Sequence, residues 1–565
     1  MNEKIKAFGE KAKSFVKTEE FPKIILWFFG ILAGVFGVYT ILYYVIGPSQ
    51  GYFHSDCTDS MFWALATYDS GEIVSPDYNY AAILPFGASL WYVPLIAMFG
   101  VTMKTHIIGM VIFTVLFALS IVFLCRTLKW SYPASLIAMS CVLLAISGSD
   151  KLREIMWGHT IYYSLGLLLL FFGLGLAVRV MRCKLLTDGK VDVKSVLWIF
   201  GYAIFTMLSA TNGTQVLVLC VIPIAGALFC ERFFDTKVKI LDKKNLSAVF
   251  VIAIAGIATL FGLKLLEIWK GDITAGYQDA YSTYSSMSEW INNLLSLPTQ
   301  YFSLIGVVYE ANAPLMDAAS VVNLIKIATG ILILVIPLVG FFFYNKYKFE
   351  ETRIVLWINL FVGTFVMMGW ILGKLSNASW RLTPVFGFAI FATVAILRDL
   401  LSHKDALMRF ACICAAAMIC FCTVNMKAIV KMPFDYGQDN DLHMLAETLE
   451  KEGLSYGYAT FWYAQAITVI SDNEVKTRNI IVENNNIIQY TYQSEYSWYE
   501  DQPGQEEYFM LLTNYEYSLV GKYFEHGVPD GATSYIAELS RHMVRRIDLE
   551  NYKIIVFDCN IWEFS

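Results

Sequence analysis

The chain has 565 residues, 57% hydrophobic and 15% aromatic, with 16% charged and a formal net charge of −6. A soluble domain carries about a quarter charged residues, so this balance excludes an ordinary soluble chain. Repeated apolar runs near the ~20 residues that cross a bilayer point instead to a polytopic membrane protein. The charge is also divided. From Phe434 onward 22 Asp/Glu stand against 8 Lys/Arg, a tail of −14 that leaves +8 on the residues before it. Such acidity argues against nucleic acid as a partner.

Residues 1–23 hold six Lys and read as a cytoplasmic segment. The apolar run from Ile24 to about Ile46 exceeds the roughly 7–15 residues of a signal core, so it is expected to be retained as a span. Its Gly30-xxx-Gly34 spacing suits close helix packing. The following loop, 47–103, carries five carboxylates (Asp56, Asp59, Asp69, Glu72, Asp77) and no Lys or Arg, which places it away from the cytoplasm. Carboxylates at a membrane surface can act on a lipid-borne substrate without the cost of burial in hydrocarbon. Within this loop, Ala81–Met103 is apolar but interrupted by Pro85, Gly87 and Pro94. Counting it as a span would put the basic N-terminus and the basic Arg179–Lys194 loop on opposite faces. It is therefore expected to be a broken, interfacial or re-entrant segment.

Further basic clusters at 126–129, 232–244, 346–353 and 398–409 complete the cytoplasmic set. Eleven spans follow, near 24–46, 105–125, 132–147, 161–178, 195–210, 215–230, 246–268, 322–344, 354–373, 383–399 and 408–427. The result is an α-helical multi-pass protein of the cell membrane with a cytoplasmic N-terminus. Outer loops fall at 47–103, Ser147–His159, 269–321 and Lys374–Pro384. Of eleven cysteines, Cys57 and Cys559 are expected to face outward, close enough in compartment for a bridge to be conceivable. Cys412/Cys414 and Cys420/Cys422 look metal-like, but helical residues two apart point to different sides, so packing is their expected role.

Residues 431–565 read as a soluble extracytoplasmic α/β domain. Helical spacing covers Asp441–Gly453 and 461–470; β-rich runs cover Ser455–Thr460, Glu474–Val482, Tyr508–Leu512 and Lys553–Phe557. The aromatic stretch Tyr490–Tyr499 is suited to stacking on sugars or to core packing.

Four elements give the chain a resemblance to the GT-C class of integral-membrane glycosyltransferases, which includes protein O-mannosyltransferases, oligosaccharyltransferase catalytic subunits and aminoarabinose transferases. A single span leads into a long outer loop with an acid before an aromatic/Ala helix, Asp59-Ser-Met-Phe-Trp63-Ala-Leu-Ala66. A Pro-containing apolar stretch, Leu84-Pro85-Phe86-Gly87, follows. The second outer loop is charged, Asp150-Lys-Leu-Arg153-Glu154-Ile-Met-Trp157-Gly158-His159. Late in the membrane part comes Trp380-Arg381-Leu-Thr-Pro384. The resemblance covers roughly residues 20–430 as architecture and implies a GT-C-like transmembrane domain over 24–430. It further implies catalysis by a first-loop acid, carried onto Asp59 with Asp56 as its rival. Ser60 stands where many members have a second acid, and a His-Pro-Pro element of several members is replaced by Ile83-Leu84-Pro85-Phe86.

The implied chemistry is transfer of a sugar from a polyprenyl-phosphate donor to an envelope glycan, lipid or protein acceptor, with inversion. One base takes the acceptor's proton. The leaving phosphate needs positive charge, and Arg381 suits it best because its fork can hold phosphate bidentately, with Lys374, Arg153 and Lys151 behind it. Glu154, His159 and Asp150 could hold a divalent metal, as in some members of the class, or pair with Lys151 and Arg153; five residues between Glu154 and His159 is poor spacing for one helical face. Asp56 and Asp59 could equally cap the helix that follows. The alternatives are a flippase for lipid-linked glycans, which would favour ionisable groups inside spans, and an envelope polymerase or ligase dominated by outer-loop arginines.

Overall fold

A computed structural model describes residues 20–233, 242–276, 283–308, 314, 316–375 and 377–564. Most of the basic N-terminal segment, part of the basic 232–244 cluster and parts of the 269–321 loop lie outside these residues. Among the described residues, ten helices are long and apolar enough to cross a membrane, from Glu20–Ile46 to Ala406–Val430. One expected span takes a different form. The helix Tyr132–Ala145 has only 14 residues, and the chain then bends by 118° into Asp150–Trp157; counted as one broken span, the pair makes the eleventh. The bend has a local cause: Ser149 takes extended backbone and its hydroxyl accepts from Leu152 N, capping the second helix.

Helix Tyr132–Ala145 packs along the first helix through a seam of small residues. A Cβ on Gly30 would stand 2.5 Å from Pro133 Cβ, and one on Gly37 would stand 2.5 Å from Ser140 Oγ. This is the close approach that the glycine spacing suggested. Gly37→Val should therefore overpack the seam and cost about 1–3 kcal/mol. The check is a lower midpoint of thermal unfolding in detergent, against an unchanged midpoint for Gly363→Ala, where nothing lies within 4 Å of the added carbon.

The Ala81–Met103 stretch is broken, as its prolines and glycine dictate. A wide turn at Pro85–Ser89 includes Gly87 at φ +91, a seven-residue helix spans Val93–Phe99, and a new helix starts at Met103. Non-helical backbone in an apolar setting needs partners, and Asn212 supplies them: Phe86 N donates to its Oδ1 at 3.1 Å and its Nδ2 donates to Phe86 O at 2.7 Å.

After the last long helix the chain forms a six-stranded mixed sheet, ordered β3-β2-β1-β4-β6-β5. Its strands are β1 (Tyr456–Thr460), β2 (Lys476–Glu483), β3 (Asn486–Gln489), β4 (Tyr508–Thr513), β5 (Met543–Asp548) and β6 (Tyr552–Phe557). β1 pairs in parallel with β2 and β4, and helix Phe461–Ile470 makes the crossover from β1 to β2. Four of these strands match the expected β-rich runs; β3 and β5 were not anticipated.

This sheet region is clamped onto the first loop by buried polar contacts. Trp63 Nε1 donates to Gln493 Oε1 at 2.7 Å, Thr58 Oγ1 donates to Gln465 Oε1 at 3.0 Å, and Ala466 N donates to Ser55 Oγ at 3.3 Å. Tyr78 and Glu495 form a β-bridge. Cys57 and Cys559 are both free thiols, so the conceivable bridge is not made. Cys414 and Cys422 are buried while Cys412 and Cys420 are exposed, as expected for alternate sides of one helix.

Candidate active site

The first loop tightens into a 3-10 turn, Ser55–Thr58, that runs directly into helix Asp59–Ser70. Neither acid caps this helix: its N-cap is Thr58, with no side-chain capping bond. Asp59 is only 6% exposed, and its Oδ1 is buried without a hydrogen-bond partner. Leaving a buried acceptor unpaired costs about 1–3 kcal/mol, more for a charged group, which a purely structural carboxylate would avoid. Burial first, and then the negative charge of Asp56, push the Asp59 carboxyl well above its usual pKa of 3.8.

The second loop meets the first from the other side. Ser60 Oγ and Thr160 Oγ1 lie 2.8 Å apart, and His159 Nδ1 is 3.1 Å from the Asp56 carbonyl oxygen. Glu154 faces three potential cations: Lys151 Nζ at 2.5 Å, His54 Nε2 at 3.5 Å and His159 Nε2 at 3.7 Å. Burial alone would raise its pKa, but His159, His54 and Lys151 outweigh it and hold the carboxylate below its ordinary range. The spacing objection to Glu154 and His159 fails for a simple reason. The helix ends at Trp157, and His159, beyond it, has its Nδ1 3.1 Å from the Asp56 carbonyl oxygen.

These groups open into a cavity of about 1010 Å³. Asp56, Asp59, His54, Glu154 and His159 line it together with Lys151, Tyr163, Trp380 and Arg381. The sheet region contributes Thr460, Phe461, Trp462 and the run Gln489–Tyr492. Arg381 sits on a 3-10 turn, Ser379–Leu382, that leads into helix Thr383–Leu401. Its guanidinium donates to Tyr163 Oη and lies 5.7 Å from that ring. Lys151 rests over Trp380 at 5.0 Å. The arrangement therefore sets acids, cations and aromatic side chains around one space.

Of the site residues read from sequence, Asp56, Asp59, Glu154, His159 and Arg381 come together here. Three do not. Asp150 is 69% exposed and ion-paired to Arg153. Arg153 is itself buried, donating to the Ser147 carbonyl at 3.1 Å and lying over Tyr44. The ammonium of Lys374 lies over the Tyr284 ring at 4.4 Å, outside the residues that line the cavity. Asp150 and Arg153, three apart on one helix, are neighbours and pair with each other. The aromatic stretch divides in the same way. Tyr490 and Tyr492 line the cavity, whereas Trp498 and Tyr499 are core. Sequence reasoning missed His54, Gln465 and Gln493; only His54, five residues before Asp59, lay close enough in sequence to be found.

No protein-family model matches this chain, and no curated protein matches it. Among solved structures, the apo oligosaccharyltransferase of Archaeoglobus fulgidus is similar at TM-score 0.46 and 12% identity, over 82% of this chain. This chain spans 65% of that protein's length. The same enzyme in complex with zinc and sulfate gives TM-score 0.49 and 14% identity, over 88% of this chain and 69% of that one. ArnT from Cupriavidus metallidurans, bound to undecaprenyl phosphate, gives TM-score 0.48 and 11% identity, over 95% of this chain and 98% of that one. Every one of these scores lies below 0.5, so the chemistry has to rest on this chain's own residues.

Proposed function

We propose that this chain is a membrane glycosyltransferase that moves a sugar from a polyprenyl-phosphate donor to a glycan, lipid or protein acceptor on the outer face of the membrane, with inversion. The observation that carries this reading is the single cavity in which Asp56 and Asp59 face a space also lined by Arg381 and Lys151. Sugar transfer from a phosphate needs those two kinds of group on either side of the anomeric carbon. A base takes the acceptor proton, and cations hold the departing phosphate.

Asp59 is the base in this scheme. An ordinary carboxylate is a weak proton acceptor near neutrality, and burial beside Asp56 raises the affinity of Asp59 for a proton. Asp56 is the rival for the same role. Arg381 takes the phosphate oxygens, with Lys151 beside it. The phosphate leaves with its own charge neutralised, so no second carboxyl is required as an acid, unlike hydrolysis of an ordinary glycosidic bond. Phe461, Trp462, Tyr490 and Tyr492 offer apolar faces to sugar rings. Lys374 and Arg153 have no part in this scheme, and Asp150 has none either.

The test is to reconstitute the purified chain in liposomes containing the lipid extract of its own source membranes and to follow free polyprenyl phosphate by mass spectrometry. A transferase releases it. A flippase moves lipid-linked glycan across the bilayer with no release, and that outcome would overturn the assignment as a transferase.

A further inference from the structure

Next to Asp56 in the chain lies Cys57, part of a cluster that the transfer scheme does not use. His54, Cys57 and His159 each offer one ligand atom, and these atoms all lie within 4.8 Å of one another. Cys57 and His159 are 7% and 5% exposed. Two buried ring nitrogens in the cluster, His54 Nδ1 and His159 Nε2, have no hydrogen-bond partner.

The partners of the opposite nitrogens explain this. His159 Nδ1 is 3.1 Å from the Asp56 carbonyl oxygen, which can only accept, so Nδ1 carries the proton and Nε2 keeps its lone pair. His54 Nε2 is 3.5 Å from the Glu154 carboxylate; a proton held on that side leaves the lone pair on Nδ1. A backbone carbonyl and a carboxylate, each holding the far nitrogen of an imidazole, is the usual outer arrangement around metal-bound histidines. The thiol supplies the third donor.

We propose that His54, Cys57 and His159 form a metal centre that binds zinc through two imidazole nitrogens and one thiolate. Two nitrogens and a sulfur form a soft set that selects zinc over magnesium or calcium, which prefer oxygen. Three protein ligands leave one position of a tetrahedron for water or an anionic oxygen. His54 and His159 also line the cavity, so that position can be reached from it. Glu154 faces the far nitrogen of His54, and the Asp56 carbonyl faces that of His159. Binding displaces the Cys57 thiol proton to solvent and leaves the protein otherwise unchanged in composition. The competing reading is a metal-free cluster in which both imidazoles carry charge against Glu154; it leaves the buried His54 Nδ1 and His159 Nε2 without a hydrogen-bond partner.

The centre stands apart from the transferase reading, and its test measures metal rather than turnover. The full chain, purified in detergent without chelator, is assayed for zinc by elemental mass spectrometry. It is then stripped, reloaded with cobalt(II) and examined for thiolate-to-cobalt absorption. We expect stoichiometric zinc, a thiolate band, and loss of both in Cys57→Ser. His54→Gln should weaken binding at least tenfold. Cys559→Ser, in the separate His542–Asp558–Cys559 group, should leave the band unchanged. Wild-type protein that takes up no zinc, or binds cobalt without a thiolate band, overturns the proposal whatever the variants do. So does full retention of metal in both Cys57→Ser and His54→Gln.

Discussion

Asp59→Asn lowers the rate of sugar transfer by about 10²–10⁴-fold, the range a positioned general base contributes. Asparagine keeps the shape and removes the proton acceptor. Because Asp59 is buried and its Oδ1 has no hydrogen-bond partner, the neutral side chain should leave the fold as stable as before or more so. Activity and stability thus move in opposite directions, and a merely structural carboxylate would not produce that pattern. Single-turnover rates with saturating lipid donor, read beside thermal unfolding, make the comparison. Asp56→Asn is its partner experiment. With Asp59 as the base, this second substitution lowers the rate less, because it removes only a neighbouring charge that helps to raise the Asp59 pKa. A larger loss in Asp56→Asn than in Asp59→Asn would exchange their roles.

Arg381→Ala lowers turnover by about 10²–10³-fold, equivalent to the ~3–4 kcal/mol that one preorganised transition-state donor supplies. Arg381→Lys recovers little of this, since an ammonium on a flexible stem cannot present two parallel donors to a phosphate. Tyr163 already accepts one of the guanidinium's bonds and fixes its direction. Tyr163→Phe should therefore raise the apparent KM for the donor more than it lowers kcat. Lys374→Ala, by contrast, leaves both constants unchanged, because that side chain lies over Tyr284 outside the cavity lining.

How much of this could be read from sequence depended on whether the signal was local. Asp56, Asp59 and the aromatic helix after them form one stretch. The absence of cations around them, together with Arg381 in the outer loop 374–384, pointed to residues that line one cavity. The break at Pro85–Gly87 was equally local. Contacts across the chain left no such trace: Gln493 meets Trp63, and Gln465 meets Thr58, over more than four hundred residues of sequence. Helical spacing was a poor guide beyond the helix end. Five residues after Glu154, His159 looked misplaced for one helical face, but the helix ends at Trp157 and His159 lies against the Asp56 carbonyl of the first loop. The missed strands have different causes. β3 follows Asn484 and Asn485, both at positive φ, a two-residue hairpin turn that the Asn-rich run could have revealed. β5 carries Arg545 and Arg546 at the sheet edge, where charge hides β-pattern while protecting the edge.

The proposed reaction turns on placement: lipid phosphate against Arg381, with its sugar-bearing side toward Asp59. A cryo-electron microscopy structure of the chain in nanodiscs saturated with a polyprenyl phosphate would show that placement without any assay of turnover. Phosphate density is expected within hydrogen-bond reach of Arg381 inside the acid-lined cavity, with the isoprenoid tail running out toward lipid. Phosphate bound elsewhere on the protein, or a cavity that stays closed to the lipid at saturating concentration, would contradict it.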